Sequence, residues 1–428
     1  MQNKIHTAQS AFEHWSSTSF QERSLLLQKL KTLLEEHKMR YASLMTKEMG
    51  KPITQSLAEI DKCGWLCDYY AEHAKSFLKN QYIQTEAEES FISYEPLGVL
   101  LGVMPWNFPY WQVFRFVIPA IMAGNTVMVK HASNVPESAE AIESLFLESG
   151  FPLGIYQNLP ISSNKVGELI AHPLIRAVSL TGSEKAGSAV AMQAGKYLKK
   201  TLLELGGSNA FIVCEDADLE QAIAVAVNAR MQNSGQSCIA AKRFLVHERI
   251  FDTFVDKYKL AVSQLRTGDP MNPETQIGSL ARVDLAVDLE KQVQQSVAMG
   301  AQVVLGGRRK EAFFEPTILI DVTPEMPVFK EETFGPVAAL VSFETIDEAI
   351  ALSNQSDFGL GVSVFTSNIL QIKSRVRDFN EGAVFINDLV KSDPRLPFGG
   401  VKKSGYGREL SREGILEFVN CKTVVIRS

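Results

Sequence analysis

The stretch MQNSGQSCIA at residues 231–240 sets one thiol, Cys238, behind a run of small and amide side chains. A structural cysteine packs among large apolar neighbours, whereas Ser234, Gly235, Gln236 and Ser237 let the chain turn and leave the sulfur reachable. A reachable thiol is a nucleophile once deprotonated, and it needs a charge-stabilising donor, a base and a co-substrate. LELGGSN at 203–209 offers the base: Glu204 closes an apolar run just before two glycines, where a buried carboxylate is costly unless it has a task. MPWNFP at 104–109 offers the donor. Asn107 sits between Trp106 and Phe108 in a turn stiffened by Pro105 and Pro109, and a side-chain amide held that firmly suits a developing oxyanion. A turn-forming role is the equal alternative for Asn107 on this motif alone.

Other segments suit a phosphate-bearing co-substrate. SLTGSEKAG at 179–187 reads as a strand, then Gly182 and Ser183, then a helix start, a seat for a pyrophosphate. It is not a G-x-G-x-x-G and is weak by itself. TVMVKHASN at 126–134 ends a strand with Lys130 and Ser133, where a ribose or phosphate can lie. KEETFGP at 330–336 places Glu331 and Glu332 in a turn closed by Gly335-Pro336, and paired acids on a solvated loop are the default there.

The elements that must position these residues follow from periodicity. From Thr7 to about Lys79 the spacing of apolar residues, as in RSLLLQKLKTLLEEH, predicts helices. YIQTEAEESFISYEP alternates weakly and predicts an exposed hairpin. From Leu97 onward, short apolar runs (VLLGVM, TVMVK, RAVSL, KTLLEL) alternate with helical stretches, the signature of parallel α/β units. The pattern restarts after Gly206-Gly207 with NAFIVC, RFLVH, PTILID, VAALVSF, GVSVFT and GAVFIN, which predicts a second such unit. CKTVVIRS at the end reads as a lone strand with no partner nearby in sequence, completing a sheet elsewhere or in another subunit.

Bulk properties exclude other classes. With 428 residues and 45% hydrophobic content the chain suits two large globular domains. A net charge of −6 argues against nucleic acid. No run approaches the roughly 18 apolar residues of a membrane span, and MQNKIHTAQSAFEHW lacks a secretory pattern. The five cysteines form neither a CxxC pair nor a disulfide framework. Cys63, Cys67 and His73 lack a fourth ligand, so no metal is expected. A reduced, cytoplasmic protein is the plain expectation.

In order, MPWNFP, VMVKHAS, SLTGS, LELGG, GQSC, EETFGP and PFGG strongly resemble the aldehyde dehydrogenase superfamily, from about residue 7 to the end. The resemblance implies an α/β fold of two Rossmann-like domains: a dinucleotide-binding domain at 1–80 and 98–206, and a catalytic domain at 207–403. A small bridging oligomerisation hairpin would use 81–97 and 412–428, giving a homodimer or homotetramer. It implies Cys238 as nucleophile, Glu204 as base for deacylation and Asn107 as oxyanion donor beside the Cys238 backbone N–H. Glu332 and Phe334 would hold the nicotinamide ribose and ring, and Trp106, Lys130, Thr181, Gly182 and Ser183 the rest of the dinucleotide. Two departures stand out. The chain starts at the first helix, without the N-terminal strands of many members, and the 160–170 loop (PISSNKVGELI) is shorter than the usual glycine-bearing segment.

PWNFPYWQVFRF and VKSDPRLPFGGVKKSGYGREL resemble the succinate-semialdehyde dehydrogenase branch. Trp111 and Arg115, four apart on a helix, share a face with the oxyanion turn. A guanidinium there meets a carboxylate in bidentate fashion, with Ser392 on the opposing loop as a hydroxyl donor and Phe398 as a further wall. The alternative for Arg115 is a surface or inter-subunit salt bridge. Many NAD-using relatives carry a glutamate at the position of Ser133, which would repel a 2′-phosphate, so NADP is the expected cofactor, with NAD accepted. The expected substrate is an aldehyde with a distal carboxylate. The rivals are another aliphatic or aromatic aldehyde, an acylating enzyme using coenzyme A, and a non-catalytic dinucleotide-binding member.

Overall fold

The N-terminal helices form where local signals coincide with an apolar stripe. A computed structural model describes residues 1–427, and helices α1 (Gln2–Trp15), α2 (Phe20–Glu36), α3 (Lys38–Met49) and α4 (Ile53–Phe77) occupy the first segment. Ser19 and Glu22 make a reciprocal capping box at the start of α2, and Leu27, Leu30 and Leu34 are the face it buries. Gly50 ends α3 in the left-handed region, φ 72°. Cys63 and Cys67 lie buried in the core along α4.

A hairpin of β1 (Gln81–Tyr82) and β2 (Glu89–Pro96) then leads into β3 (Val99–Val103). Helix α5 (Trp111–Met122) is buried at every residue, as its almost wholly apolar composition requires. The unit continues through β4 (Thr126–Lys130), α6 (Pro136–Glu148), β5 (Tyr156–Asn158), α7 (Val166–Ala171), β6 (Ile175–Thr181), α8 (Glu184–Lys196) and β7 (Lys200–Glu204). These strands order as β7-β6-β3-β4-β5, all parallel, with Gly405–Tyr406 added antiparallel beside β7. The chain enters at β3, builds outward to β5 and returns to the other side of β3. The reversal leaves a crevice between the carboxyl ends of β3 and β6, the usual place for a ligand in such a sheet.

The second sheet begins at β8 (Asn209–Val213) and, after α9 (Leu219–Met231), continues at β9 (Ala241–His247). It has seven strands, with Val337–Phe343 and Thr317–Ile320 beyond β9 and Val362–Phe365 and Val384–Ile386 beyond β8. Only its edge strand, Gln302–Leu305, runs antiparallel. Each strand run expected from Leu97 onward falls on an observed strand.

Three details go beyond the sequence expectation. The first helix begins at Gln2, before Thr7. The C-terminal strand, Val419–Ile426, finds its partner within the chain: it pairs antiparallel with β2 along its whole length, from Glu89 opposite Ile426 to Pro96 opposite Val419. The 412–428 segment is also not uniform. Its first residues belong to the helix Ser411–Leu416, whose Ile415 enters the main core and whose Ser411 carbonyl accepts from the Tyr70 hydroxyl at 2.8 Å. Ser428 lies outside the described residues. No helix among them is long and apolar enough to cross a membrane.

Candidate active site

Cys238 is set by an unusual backbone. After α9 the chain turns through Asn233, Ser234 and Gly235, all in the left-handed region, with φ of 55°, 52° and 76°. Two of these are not glycine, and each costs about 1–2 kcal/mol. Surrounding contacts hold them. The Asn233 N–H donates to Gln55 Oε1 at 2.6 Å, and its Nδ2 donates to the Asn107 carbonyl at 2.8 Å. The Ser234 hydroxyl donates to the Gly278 carbonyl at 3.1 Å. The small residues noted in the sequence thus serve a strained, over-determined turn that delivers the sulfur to a junction.

Two cavities meet at that junction, and Cys238 and Gln112 line both. One, of about 360 Å³, lies in the crevice after β3 and β6; Trp106 and Asn107 line it from one loop, Thr181, Gly182 and Ser183 from the other, and Glu332 and Phe334 from across. The second, of about 270 Å³, is lined by Trp111, Arg115, Phe398 and Ser392, together with Lys62 from α4. The structure therefore gathers eleven expected site residues around one sulfur, divided between two rooms.

Asn107 is fixed by its neighbours. Its Nδ2 donates to the Gln236 carbonyl at 3.1 Å, leaving a second N–H for another acceptor. Its carbonyl also accepts from the buried Lys51 ammonium at 3.3 Å, and Lys51 is paired with the equally buried Glu59. The other Glu59 oxygen accepts from the Tyr110 and Trp111 N–H groups, both at 2.9 Å, satisfying the positive end of α5. Neither Lys51 nor Glu59 was signalled by a motif.

Glu204 ends β7 fully enclosed, with neither carboxylate oxygen hydrogen-bonded. Burial raises its pKa well above the ordinary range, and the nearby Glu409 carboxylate raises it further against the Arg115 and Arg408 charges. A carboxylate whose charged form is disfavoured in this way is a stronger proton acceptor than an exposed one. The Cys238 thiol is pushed up to about 11 by burial, against the lowering charges of Arg115 and Lys242.

Glu332 is not the solvated acid that its loop position suggested. Oε1 accepts from the Gly207 N–H at 3.0 Å and from Lys242 Nζ at 2.8 Å. Lys242 is itself buried and also donates to the Cys238 carbonyl at 3.0 Å and to the Gly207 carbonyl. One ammonium therefore ties the nucleophile turn, the glycine pair and the acidic loop together. Glu331, beside it, is exposed.

This acidic loop and the two strand-end loops suit a dinucleotide. Phe334 stands edge-on to Trp106 with centroids 5.7 Å apart. Gly206 leaves room against Glu332 that a Cβ would fill. The buried Thr181 Oγ1 has no partner, and Ser183 caps α8, aiming that helix's N-terminus at the same crevice. Ser133 lines a separate cavity with His131, Glu140, Asn158 and Pro160. Lys130, expected beside it, ends β4 and lines none of these three cavities; burial lowers its pKa.

In the second cavity Arg115 forms a salt bridge, but not the surface or inter-subunit one that its sequence position left open. Its Nε lies 2.8 Å from Glu409 Oε2, a fully buried pair within the chain rather than on a surface or between subunits. It also lies 4.6 Å from the centroid of the Phe398 ring and lines the cavity, with Nη2 unpartnered. Ser392 Oγ accepts from Trp111 Nε1 at 3.0 Å and from Lys62 Nζ at 2.8 Å. The arrangement can hold an extended molecule with its reactive carbon at Cys238 and an anionic end among Arg115, Ser392 and Lys62.

Comparison with known proteins agrees with this geometry. The family model described as "Aldehyde dehydrogenase family" matches residues 1–424. A protein of Synechocystis sp. named "Probable succinate-semialdehyde dehydrogenase", with NADP(+) in its name, is 50% identical, covering 99% of this chain and 94% of its own. The Escherichia coli succinate semialdehyde dehydrogenase Sad, NAD(P)+ by its name, is 44% identical, covering 99% and 92%. Among solved structures, the succinic semialdehyde dehydrogenase of Streptococcus pyogenes in complex with NADP+ superposes with a TM-score of 0.97 at 38% identity, covering 100% of this chain and 95% of that one.

Proposed function

The chain belongs to the aldehyde dehydrogenase family, and on that premise we propose that it oxidises succinate semialdehyde to succinate, using NADP in preference to NAD. One observation carries the reading: Cys238 stands where a dinucleotide-shaped crevice meets a cavity ending in unsatisfied cationic donors. The names of the relatives support it. Five free thiols suit a reducing cytoplasmic setting.

The cycle starts with the Cys238 thiolate attacking the aldehyde carbon. The free N–H of Asn107 and the Cys238 backbone N–H meet the oxygen as it gains charge in the hemithioacetal. Trp106, Thr181, Gly182, Ser183, Glu332 and Phe334 would hold the dinucleotide, with Ser133 beside its adenine ribose. Bound there, the dinucleotide would supply a hydride acceptor, and loss of hydride from the hemithioacetal would leave a thioester on Cys238. Glu204 then takes a proton from water, the hydroxide adds to the thioester, and the Cys238 thiolate leaves as the acid forms. Arg115, Ser392, Trp111 and Phe398 keep the distal carboxylate and chain aligned throughout. Exposed Tyr82, Val425 and Ile426 on the three-stranded sheet, with Ile83 just beyond it, support its use in a homodimer or homotetramer.

The test is NADPH and NADH formation over a panel of aldehydes, run on the wild type and on Ser133→Glu. Succinate semialdehyde with NADP should give the highest kcat/KM, and Ser133→Glu should lose more with NADP than with NAD. A preference for neutral aldehydes refutes the substrate, and equal losses on the two cofactors refute the role of Ser133.

A further inference from the structure

Three cations line the second cavity, Arg115, Lys62 and Lys391, and they differ in electrostatic standing; Lys391 is matched by Asp388. Arg115 is matched by Glu409, so the pair carries little net charge. Lys62 has no such match: among the described residues, no carboxylate stands within ion-pair distance of its ammonium. The two acids whose charges act on it are engaged elsewhere. Glu59, less than one helical turn back on α4, is paired with Lys51 and holds two backbone N–H groups. Asp393, beside Ser392, is gripped by Arg395 through bonds of 2.9 and 2.7 Å.

Lys62 is also fixed in place. Its Nζ lies 4.4 Å from the centroid of the Trp111 ring, a cation–π contact, and 2.8 Å from Ser392 Oγ. Ser392 Oγ already accepts from two donors, Lys62 and Trp111, so its own proton remains to be donated. The result is an ammonium and a hydroxyl, side by side, on a cavity that the Arg115 guanidinium also lines.

Resting on the substrate assignment above, we propose that Lys62 is the charge-selecting residue of this tunnel. Its ammonium, together with the Ser392 hydroxyl, takes one oxygen of the distal carboxylate, while the Arg115 guanidinium takes the other. The uncompensated charge sits on Lys62, so discrimination between a carboxylate and a methyl group at the far end depends on it. Arg115 contributes direction, and Lys62 contributes net attraction.

The surroundings give this residue a readable titration. Burial, followed by the facing Arg115 charge from α5, brings its pKa down to about 8; Cys63 and Glu59 on its own helix and Asp393 on the facing loop pull the other way. Lys62 is charged below that value and loses its charge above it, so carboxylate preference should fall as pH rises through about 8.

The experiment compares succinate semialdehyde with butanal, of equal length without the charge, in wild type, Lys62→Met and Lys62→Arg. Lys62→Met should raise KM for the semialdehyde by roughly 30-fold or more with a much smaller change in kcat, and should lose at least about tenfold more on the semialdehyde than on butanal. Lys62→Arg should keep most of the preference. In the wild type the ratio of the two kcat/KM values cancels the Cys238 ionisation, and it should decline above about pH 8; Lys62→Met should show no such decline. A preference that survives Lys62→Met, or a wild-type ratio flat across pH 7–9, overturns the role of Lys62 and leaves the substrate assignment standing. A wild type that handles butanal as well as the semialdehyde overturns both.

Discussion

Removing Arg115 does two things at once, and the structure allows them to be separated. Arg115→Met deletes a donor to the substrate carboxylate and also strands Glu409, a buried carboxylate 2.8 Å from the lost guanidinium. Stranding one member of a buried pair costs about 3–5 kcal/mol of stability. Losing one charged hydrogen bond to substrate costs about 1.5–3 kcal/mol, roughly 10- to 150-fold in kcat/KM. Adding Glu409→Gln removes the stranded charge, and a buried pair replaced on both sides is often close to neutral in stability. The double variant should therefore recover most of the thermal midpoint that Arg115→Met loses, while its discrimination between succinate semialdehyde and butanal stays about 10- to 150-fold below that of the wild type, the remainder being carried by Lys62. Thermal unfolding followed by circular dichroism and kcat/KM for both aldehydes provide the readouts. If the preference for the semialdehyde returns with the stability, Arg115 acts through the fold and its contact with substrate is refuted.

Two further outcomes follow from the site. Glu204→Gln should give a single burst of NADPH per site and then stall at the thioester; sustained turnover would move the base elsewhere. In the cofactor-free protein, alkylation of Cys238 by iodoacetamide, followed on its own peptide by mass spectrometry, should quicken about tenfold per pH unit from 7 towards 10. The sign follows from a thiol held near 11, whose reactive thiolate appears only as pH approaches that value. A rate flat above pH 8 would contradict the burial that raises it.

The sequence was most legible where chemistry is local. Cys238, Glu204 and Asn107 each stand in a short motif whose turn or strand end is set by its immediate neighbours; Cys238 and Asn107 line one cavity, while Glu204 lines neither and acts on the thiol through its charge. It was least legible where side chains meet across the fold. Lys62 and Ser392 are 330 residues apart, and a lysine on an amphipathic helix carries no sign of its partner. Arg115 was read as facing substrate or as one arm of a salt bridge, because Glu409 lies too far along the chain for spacing to settle the matter. Glu332 was read by default as solvated, since the loop does not show that Lys242, four residues past the nucleophile, reaches it. The strand runs, by contrast, were read closely, because a buried parallel strand declares itself as a continuous apolar stretch.

The pairing of β2 with Val419–Ile426 bears on how the protein is made. β2 leaves the ribosome early, yet its partner is encoded at the far end of the message. At about 5–20 residues per second the delay between them is roughly 15–65 s. During that interval the outer edge of the hairpin presents unpaired backbone groups, an invitation to mispairing with neighbouring nascent chains. Any association through this sheet must wait for termination. Chains stalled or clipped just short of Val419 should then gather in inclusion bodies even though both large sheets are fully encoded, and slower translation should worsen their fate rather than relieve it.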